Sequence, residues 1–309
     1  MESDDFETLQ KHLSEAKVRL AMRKEANLAQ AHSLKCLLQE HSQLSLLLPP
    51  PSLTTRSSEN PLLQENYQKW TALLQDWREQ QARKLYRLGV PQNLRSQVWR
   101  RAIGNSLRIT HQLYYILLDR LKRGKRLAEE AKEDRVLEVY SVLTSSRPDL
   151  PWPDSVLELI SLFLHYLSPP DVFISLSNLY SKSHLLSGLQ THDSAQVAVY
   201  YSAFESRLAK YCPQTWARLW EAGVQADGFL TQWLELLFVR ALSGETVERV
   251  WDAFFVEGDE LLLKVALVLV MQWEASGSSS VTDFLQCGLC QPSLSASTLF
   301  QQLKRLKLS

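Results

Sequence analysis

From Tyr67 to the end of the chain, apolar residues return at steps of three and four with little interruption. That period belongs to an α-helix burying one face and not to a strand. The stretches 67–85, 92–103, 109–121, 134–144, 155–167, 171–181, 194–208, 213–222, 228–240, 244–254, 259–275 and 295–307 each carry it. Period-two alternation, the mark of a half-buried strand, is absent. Breakers fall at the joints: Gly89-Val-Pro91, Arg147-Pro-Asp149, Pro151, Pro169-Pro170, Gly223, Gly258 and the serine-rich 276–280. With only 10 glycines and 12 prolines in 309 residues, turn-dense architectures are excluded, and no repeat of solenoid length is visible. The chain is expected to be all-α.

A separate helical arm precedes this frame. Leu9, Leu13, Ala16 and Leu20, then Leu34, Leu37 and Leu38, keep the helical spacing over residues 5–48. Lys24, Asn27 and His41 interrupt a strict heptad. The arm therefore reads either as a docked or solvated helix, or as one that pairs with another helix in a coiled coil. Pro49-Pro-Pro51 ends it, because proline lacks the amide donor and clashes with the preceding turn. The expected organisation is an arm over 1–48, a Pro/Ser-rich linker over 49–66 and a helical domain over 67–309, whose motif-bearing core is 85–275.

Charge narrows the classes of function. Lys and Arg number 34 and so do Asp and Glu, a balance that argues against a dedicated nucleic-acid binder. The four cysteines are too few and scattered for a disulfide framework. The acidic N-terminus is no signal peptide. The longest apolar run, 261–273, contains Lys264 and Gln272 and is too short for ~30 Å of hydrocarbon. These features predict a cytoplasmic protein with no transmembrane segment.

Tests for resident chemistry fail one after another. Cys287-Gly-Leu-Cys290 has metal-ligand spacing but no second pair of ligands. None of the seven histidines forms an i, i+4 pair. There is no G-x-S-x-G and no glycine-rich phosphate loop, so neither metal nor nucleotide cofactor is expected. The basic run Arg120-Leu-Lys-Arg-Gly-Lys-Arg126 runs into Glu129-Glu130. It reads as a solvated helix end or as an electrostatic contact with an acidic partner or lipid headgroups.

What does stand out is a series of tryptophan-anchored blocks. Leu88-Gly-Val-Pro-Gln-Asn-Leu-Arg-Ser-Gln-Val-Trp99 places a turn before a helix carrying Arg95 and Trp99 one turn apart. A second block is Val247-Glu-Arg-Val-Trp-Asp252 with Phe254-Phe255, followed by Gly258-Asp-Glu260. Read by themselves, both are structural.

Together the blocks resemble the TBC domain, the helical module of Rab GTPase-activating proteins. G-V-P-x-x-L-R-x-x-V-W at 89–99 is similar to the family's first motif. Ala102-Ile-Gly-Asn105 with Ile109-Thr110 is similar to one subgroup. Arg147-Pro-Asp149 resembles its R-P-D, and Arg249-Val-Trp-Asp252 its R-x-W-D. Asp171-Val-Phe and Ser177-Asn-Leu179 resemble the segment between, so the likeness runs from about Leu85 to Trp273. The resemblance implies an all-α TBC-like fold and a Rab-family small GTPase as partner, in vesicle trafficking and on endomembranes.

The family's chemistry rests on an arginine in I-x-x-D-x-x-R and a glutamine in Y-x-Q a few residues after R-P-D. The arginine offsets charge on the transferring phosphoryl group and contributes ~10³–10⁵ in rate, while the glutamine orients the water. Here the resemblance puts Trp152 in the tyrosine place and Asp154 in the glutamine place. The arginine segment has no counterpart: Ile116-Leu-Leu-Asp119-Arg-Leu-Lys122 lies on an earlier helix by register. Arg123, Arg126 and Arg135 are surrogate candidates that nothing positions. A TBC-fold binder with degenerate catalytic residues is the favoured reading. An activator using a surrogate arginine and a helical scaffold without GTPase contact are the alternatives. Trp152, Asp154, Arg147, Asp149 and Arg95 are the candidate partner-binding residues, Arg95, Arg147 and Asp149 chiefly as braces. A buried pairing of Arg147 with Asp149 would make Arg147→Ala lower the melting temperature.

Overall fold

A computed structural model describes residues 61–124, 134–277 and 294–306, with four more at 280–281 and 284–285. All of them fall within the second of two units into which the chain divides, 1–52 and 53–309. The arm, the cysteines Cys287 and Cys290, and Arg126 lie outside the described residues.

Among the described residues there are helices and no strand. They are α1 (Pro61–Gln75), α2 (Glu79–Leu85), α3 (Arg95–Ile103), α4 (His111–Arg123), α5 (Arg135–Ser146), α6 (Val156–Leu164) and α7 (Pro169–Lys182). Then follow α8 (His184–Thr191), α9 (Ser194–Tyr211), α10 (Pro213–Glu221), α11 (Asp227–Glu235), α12 (Gly244–Glu257), α13 (Asp259–Ala275) and α14 (Ala296–Arg305). The all-α expectation holds.

Short polar side chains start several of these helices by accepting the orphan amides of the first turn. Thr110 caps α4, Asp134 caps α5 and Ser168 caps α7, whose first turn is Pro169-Pro170. Proline suits that place because its missing N–H has no partner to lose. Ser183 caps α8, a helix the periodicity did not single out. Its buried apolar side chains are Leu185, Leu186 and Leu189, with Gly188 and Gln190 between and beside them, too few turns for a period to register.

Three boundaries differ from expectation. Helix α1 is already under way at Pro61, inside the stretch read as linker. The expected 67–85 helix breaks at 76–78, where Arg78 turns extended and pairs with Asp76 at 2.5 Å. The expected 228–240 helix stops at Glu235, because Leu237 and Phe238 take positive φ of 45° and 66°. Both are fully buried, and the indole of Trp251 donates to the carbonyl of Leu237 at 3.0 Å. Left-handed backbone at such residues persists only where the surroundings over-determine it.

Helix α13 is the centre. It is apolar almost all round, burying Leu261, Leu262, Leu263 and every residue from Val265 to Val270, the signature of a helix enclosed on all sides. Helices α9 to α12 and α14 pack around it. The 261–273 run is thus a core helix, and no described helix is long and apolar enough to cross a membrane.

The two tryptophan blocks meet in one knot. The Trp99 ring sits 5.7 Å from Trp251 and from Phe163, 5.5 Å from Phe255 and 4.9 Å from Tyr166. Asp252, 1% exposed, accepts from the Trp99 indole at 2.8 Å and the Val90 amide at 3.3 Å. It also accepts from Arg95 Nε and Nη2 at 3.4 and 3.3 Å. Arg95 reaches Glu248 as well, and Tyr166 donates to that carboxylate at 2.6 Å. Burial opposes the Arg95 cation, but Asp252 and Glu248 outweigh it and hold the guanidinium charged. Asp252 is pushed up by burial while Arg95 and Trp99 pull it down.

The Gly89-Val-Pro91 turn locks against this knot. The Gly89 carbonyl accepts from Trp70 Nε1 at 3.0 Å and Asn66 at 2.9 Å. Gly89 has φ +89°, and a Cβ there would stand 2.6 Å from Arg249 Nη1. Only glycine tolerates both conditions.

Candidate functional site

The residues singled out after R-P-D lie on the 147–155 connection between α5 and α6. Arg147 ends α5, and the amide of Leu150 donates back to its carbonyl at 3.1 Å, closing a turn. Across that turn Arg147 and Asp149 pair through Nε–Oδ1 at 2.9 Å and Nη2–Oδ2 at 2.7 Å. Their side chains are each 59% exposed. The expectation of a buried brace here is therefore corrected: the pair forms, but in water, where solvent screening weakens an ion pair. The buried Arg–Asp brace of this fold is Arg95–Asp252 instead. Arg95 accordingly sits in the core and not with the other four residues.

Trp152 turns inward. It is 8% exposed and meets Tyr180 of α7 edge-on at 5.1 Å. Its carbonyl accepts from the hydroxyl of Tyr140 on α5 at 3.3 Å. The ring is thus part of the support beneath the loop, a correction to its expected place on the partner-facing surface. Its indole N–H and the Ser155 hydroxyl are buried without a hydrogen-bond partner. Asp154 is half-buried at the head of α6, with Oδ1 3.5 Å from the Tyr140 hydroxyl. The Pro153 and Asp154 carbonyls accept from Val156 and Leu157 at 3.0 Å, so the chain passes smoothly into α6 despite two prolines.

Two residues beside this loop were not singled out from sequence. Glu158, one turn beyond Asp154 on α6, is bidentate with Arg240, whose Nε donates at 3.1 Å. Arg240 follows the left-handed Leu237–Phe238 turn, so a strained and tightly packed segment carries the one arginine that ion-pairs with α6 among the described residues. Their separation of 82 positions explains why no local spacing revealed the pair. Arg123 is engaged with Asp119, and Arg135 opens α5 in an exposed position. Among the described residues no three His, Cys, Asp or Glu side chains stand together as a metal site.

Chemically, the loop offers solvent an exposed fork pair and a half-buried carboxylate, backed by a tyrosine and a tryptophan. Arg240, paired with Glu158 on α6, is the nearby cation that could meet an anionic group.

Comparison with known proteins fits this frame. A family model described as the Rab-GTPase-TBC domain matches residues 118–276, just over half of the chain. Rat TBC1 domain family member 14 is 24% identical over 310 residues, covering 87% of this chain and 43% of that protein. TBC1 domain family member 12 of Xenopus tropicalis is 25% identical over 250 residues, covering 66% and 36%. The chain thus spans less than half the length of these relatives. Among solved structures, the Chlamydomonas flagellar RabGAP TBC domain superposes with a TM-score of 0.66 at 16% identity, covering 78% of this chain and 91% of that one. The Ypt/Rab-GAP domain of Gyp1p gives 0.60 at 13% identity, covering 79% and 97%. The chain belongs to the Rab-GTPase-TBC domain family.

Proposed function

We propose that this chain binds a Rab-type small GTPase through the surface around the 147–155 loop without supplying the arginine and glutamine that accelerate GTP hydrolysis. The observation that carries this reading is Asp154, half-buried at the head of α6 beside Tyr140. A glutamine carboxamide there would accept a hydrogen bond from the attacking water and still have an N–H to donate, whereas a carboxylate only accepts. It also sets negative charge where the reacting phosphoryl group is anionic, which opposes the transition state. The class of partner is taken from the solved Rab GTPase-activating domains whose fold this chain shares. Its place of work would be the cytoplasmic face of endomembranes.

A second reading is favoured by Arg240. Held by Glu158 one turn beyond Asp154, it could act as a surrogate arginine toward a docked GTPase.

Single-turnover GTP hydrolysis across a Rab panel, with binding measured in parallel, decides between them. The expected result is binding to a GTP-loaded Rab with less than about tenfold acceleration, against ~10³–10⁵ for a working arginine. Larger acceleration that disappears in Arg240→Ala would install the second reading. Binding to no member of the panel would overturn both. Asp154→Gln alone is expected to leave the rate unchanged, and a gain from it would show that the glutamine was the only missing part.

A further inference from the structure

The basic run at the end of α4 has no part in the reading above, and the structure shows that it belongs to a larger feature. Residues 100–124 hold six Arg or Lys (Arg100, Arg101, Arg108, Arg120, Lys122 and Arg123) against one acid, Asp119, in a chain whose net charge is zero. The same segment presents Leu107, Leu113, Tyr115 and Ile116, exposed by 47, 38, 57 and 41%. These are four of the ten large apolar side chains exposed among the described residues. Charge and apolar exposure thus share one stretch, from the turn between α3 and α4 along the outer side of α4 to its last turn.

The corner is built rigidly. Asn105 accepts from the Ile109 amide at 3.0 Å and donates to its carbonyl at 2.7 Å. The buried Asn178 of α7 accepts from the Leu107 amide at 3.0 Å and donates to Asn105 at 3.1 Å. This double asparagine clamp holds Arg108 at φ +53° and keeps Leu107 in solvent at the turn's tip. Helix α4 is fixed from beneath by Tyr114, Leu118 and Leu121, leaving Tyr115, Ile116, Arg120 and Arg123 outside. Asp171 ties the two helices by accepting from His111 at 2.8 Å and Arg100 at 3.4 Å.

We propose that this α3–α4 corner is a docking surface for an anionic lipid membrane. Arg101, Arg108 and Arg120 make no ion pair among the described residues, so no described side chain neutralises them. An acidic protein would have to match these scattered charges one by one. Mobile headgroups gather beneath them without a fixed pattern, and Leu, Ile and Tyr side chains insert at the acyl boundary. The inference is independent of GTPase binding, and its test needs no GTPase.

The test is cosedimentation of the full chain with vesicles of phosphatidylcholine and phosphatidylserine, against phosphatidylcholine alone, at low and high salt. Binding is expected to require phosphatidylserine and to fall with salt. The triple variant Arg101→Ala, Arg108→Ala, Arg120→Ala should lose about fivefold in partitioning per cation removed, the equivalent of ~1 kcal/mol each. Tyr115→Ser with Ile116→Ser should weaken binding at high salt too. All these positions are exposed, so melting curves should match the parent. A control removing three cations elsewhere, Arg78→Ala, Arg83→Ala, Lys84→Ala, should bind as the parent does. The proposal is overturned if the parent ignores phosphatidylserine or if the control loses as much as the corner variant. It is equally overturned if the corner variant weakens only GTPase binding, which would assign the surface to a protein.

Discussion

Asp252→Ala tests the energetics of the central knot most directly. The substitution removes the acceptor shared by the Trp99 indole, the Val90 amide and the Arg95 guanidinium, in a site 1% exposed. Breaking one half of a buried ion pair costs ~3–5 kcal/mol. Each orphaned neutral donor adds ~1–3 kcal/mol on its own, but members of one network do not add independently. Glu248 still faces Arg95 and softens the loss. The expected cost is about 4 kcal/mol, against total stabilities of ~5–15 kcal/mol for native proteins. Urea titration followed by helical circular dichroism would read it as a lower midpoint with an unchanged slope. A loss below about 1 kcal/mol, smaller than one orphaned donor should cost, would refute the account. Asp252→Asn keeps shape and one acceptor, and should fall between the two proteins.

Three smaller changes probe other statements. Arg147→Ala removes an ion pair that lies in water and should leave the melting temperature unchanged, contrary to what the sequence alone suggested; a drop comparable to that of Asp252→Ala would contradict the solvent-exposed pairing. Gly89→Ala forces a side chain into the Arg249 guanidinium at positive φ, and should cost at least ~1–3 kcal/mol from backbone strain, read in the same titration. Glu235 is raised by burial, with His192 pulling the other way. Its folded pKa lies above the unfolded one, so the parent loses stability as pH rises between the two. Glu235→Gln should then melt higher than the parent at neutral pH, and the gain should vanish below the ordinary carboxylate range near ~4. A gain independent of pH would show that burial of the charge is not its cause.

The helical frame was legible because its signal is local. Apolar spacing, proline joints and serine, threonine or aspartate caps all act within a turn or two, and α3 to α7, α12 and α13 fall close to where periodicity puts them. What escaped is non-local. Nothing near Asp252 announces that it will meet Arg95, 157 positions away, and nothing near Arg240 announces Glu158. The R-P-D motif misled in an instructive way: its arginine and aspartate do pair, yet two residues on one turn can do so without being buried. The left-handed Leu237–Phe238 turn was invisible for a related reason. Leucine and phenylalanine carry no local turn signal, and the alternative is held by tertiary burial and by the Trp251 indole on another helix.

The tie between Arg95 and Asp252 also sets a schedule for synthesis. Ribosomes add ~5–20 residues per second, so the 157 positions between the two mean a wait of roughly 8–30 s before Arg95 can meet its carboxylate. Throughout that interval Phe163 and Tyr166 can cover one side of the Trp99 ring, but the side that Trp251 and Phe255 will occupy stays open to chaperones or wrong partners. The same dependence bears on how the domain can be cut. A fragment beginning at Leu118, where the family match starts, would keep Asp252 and Glu248 and discard both Arg95 and Trp99. Two carboxylates would then face a core that was shaped around a cation.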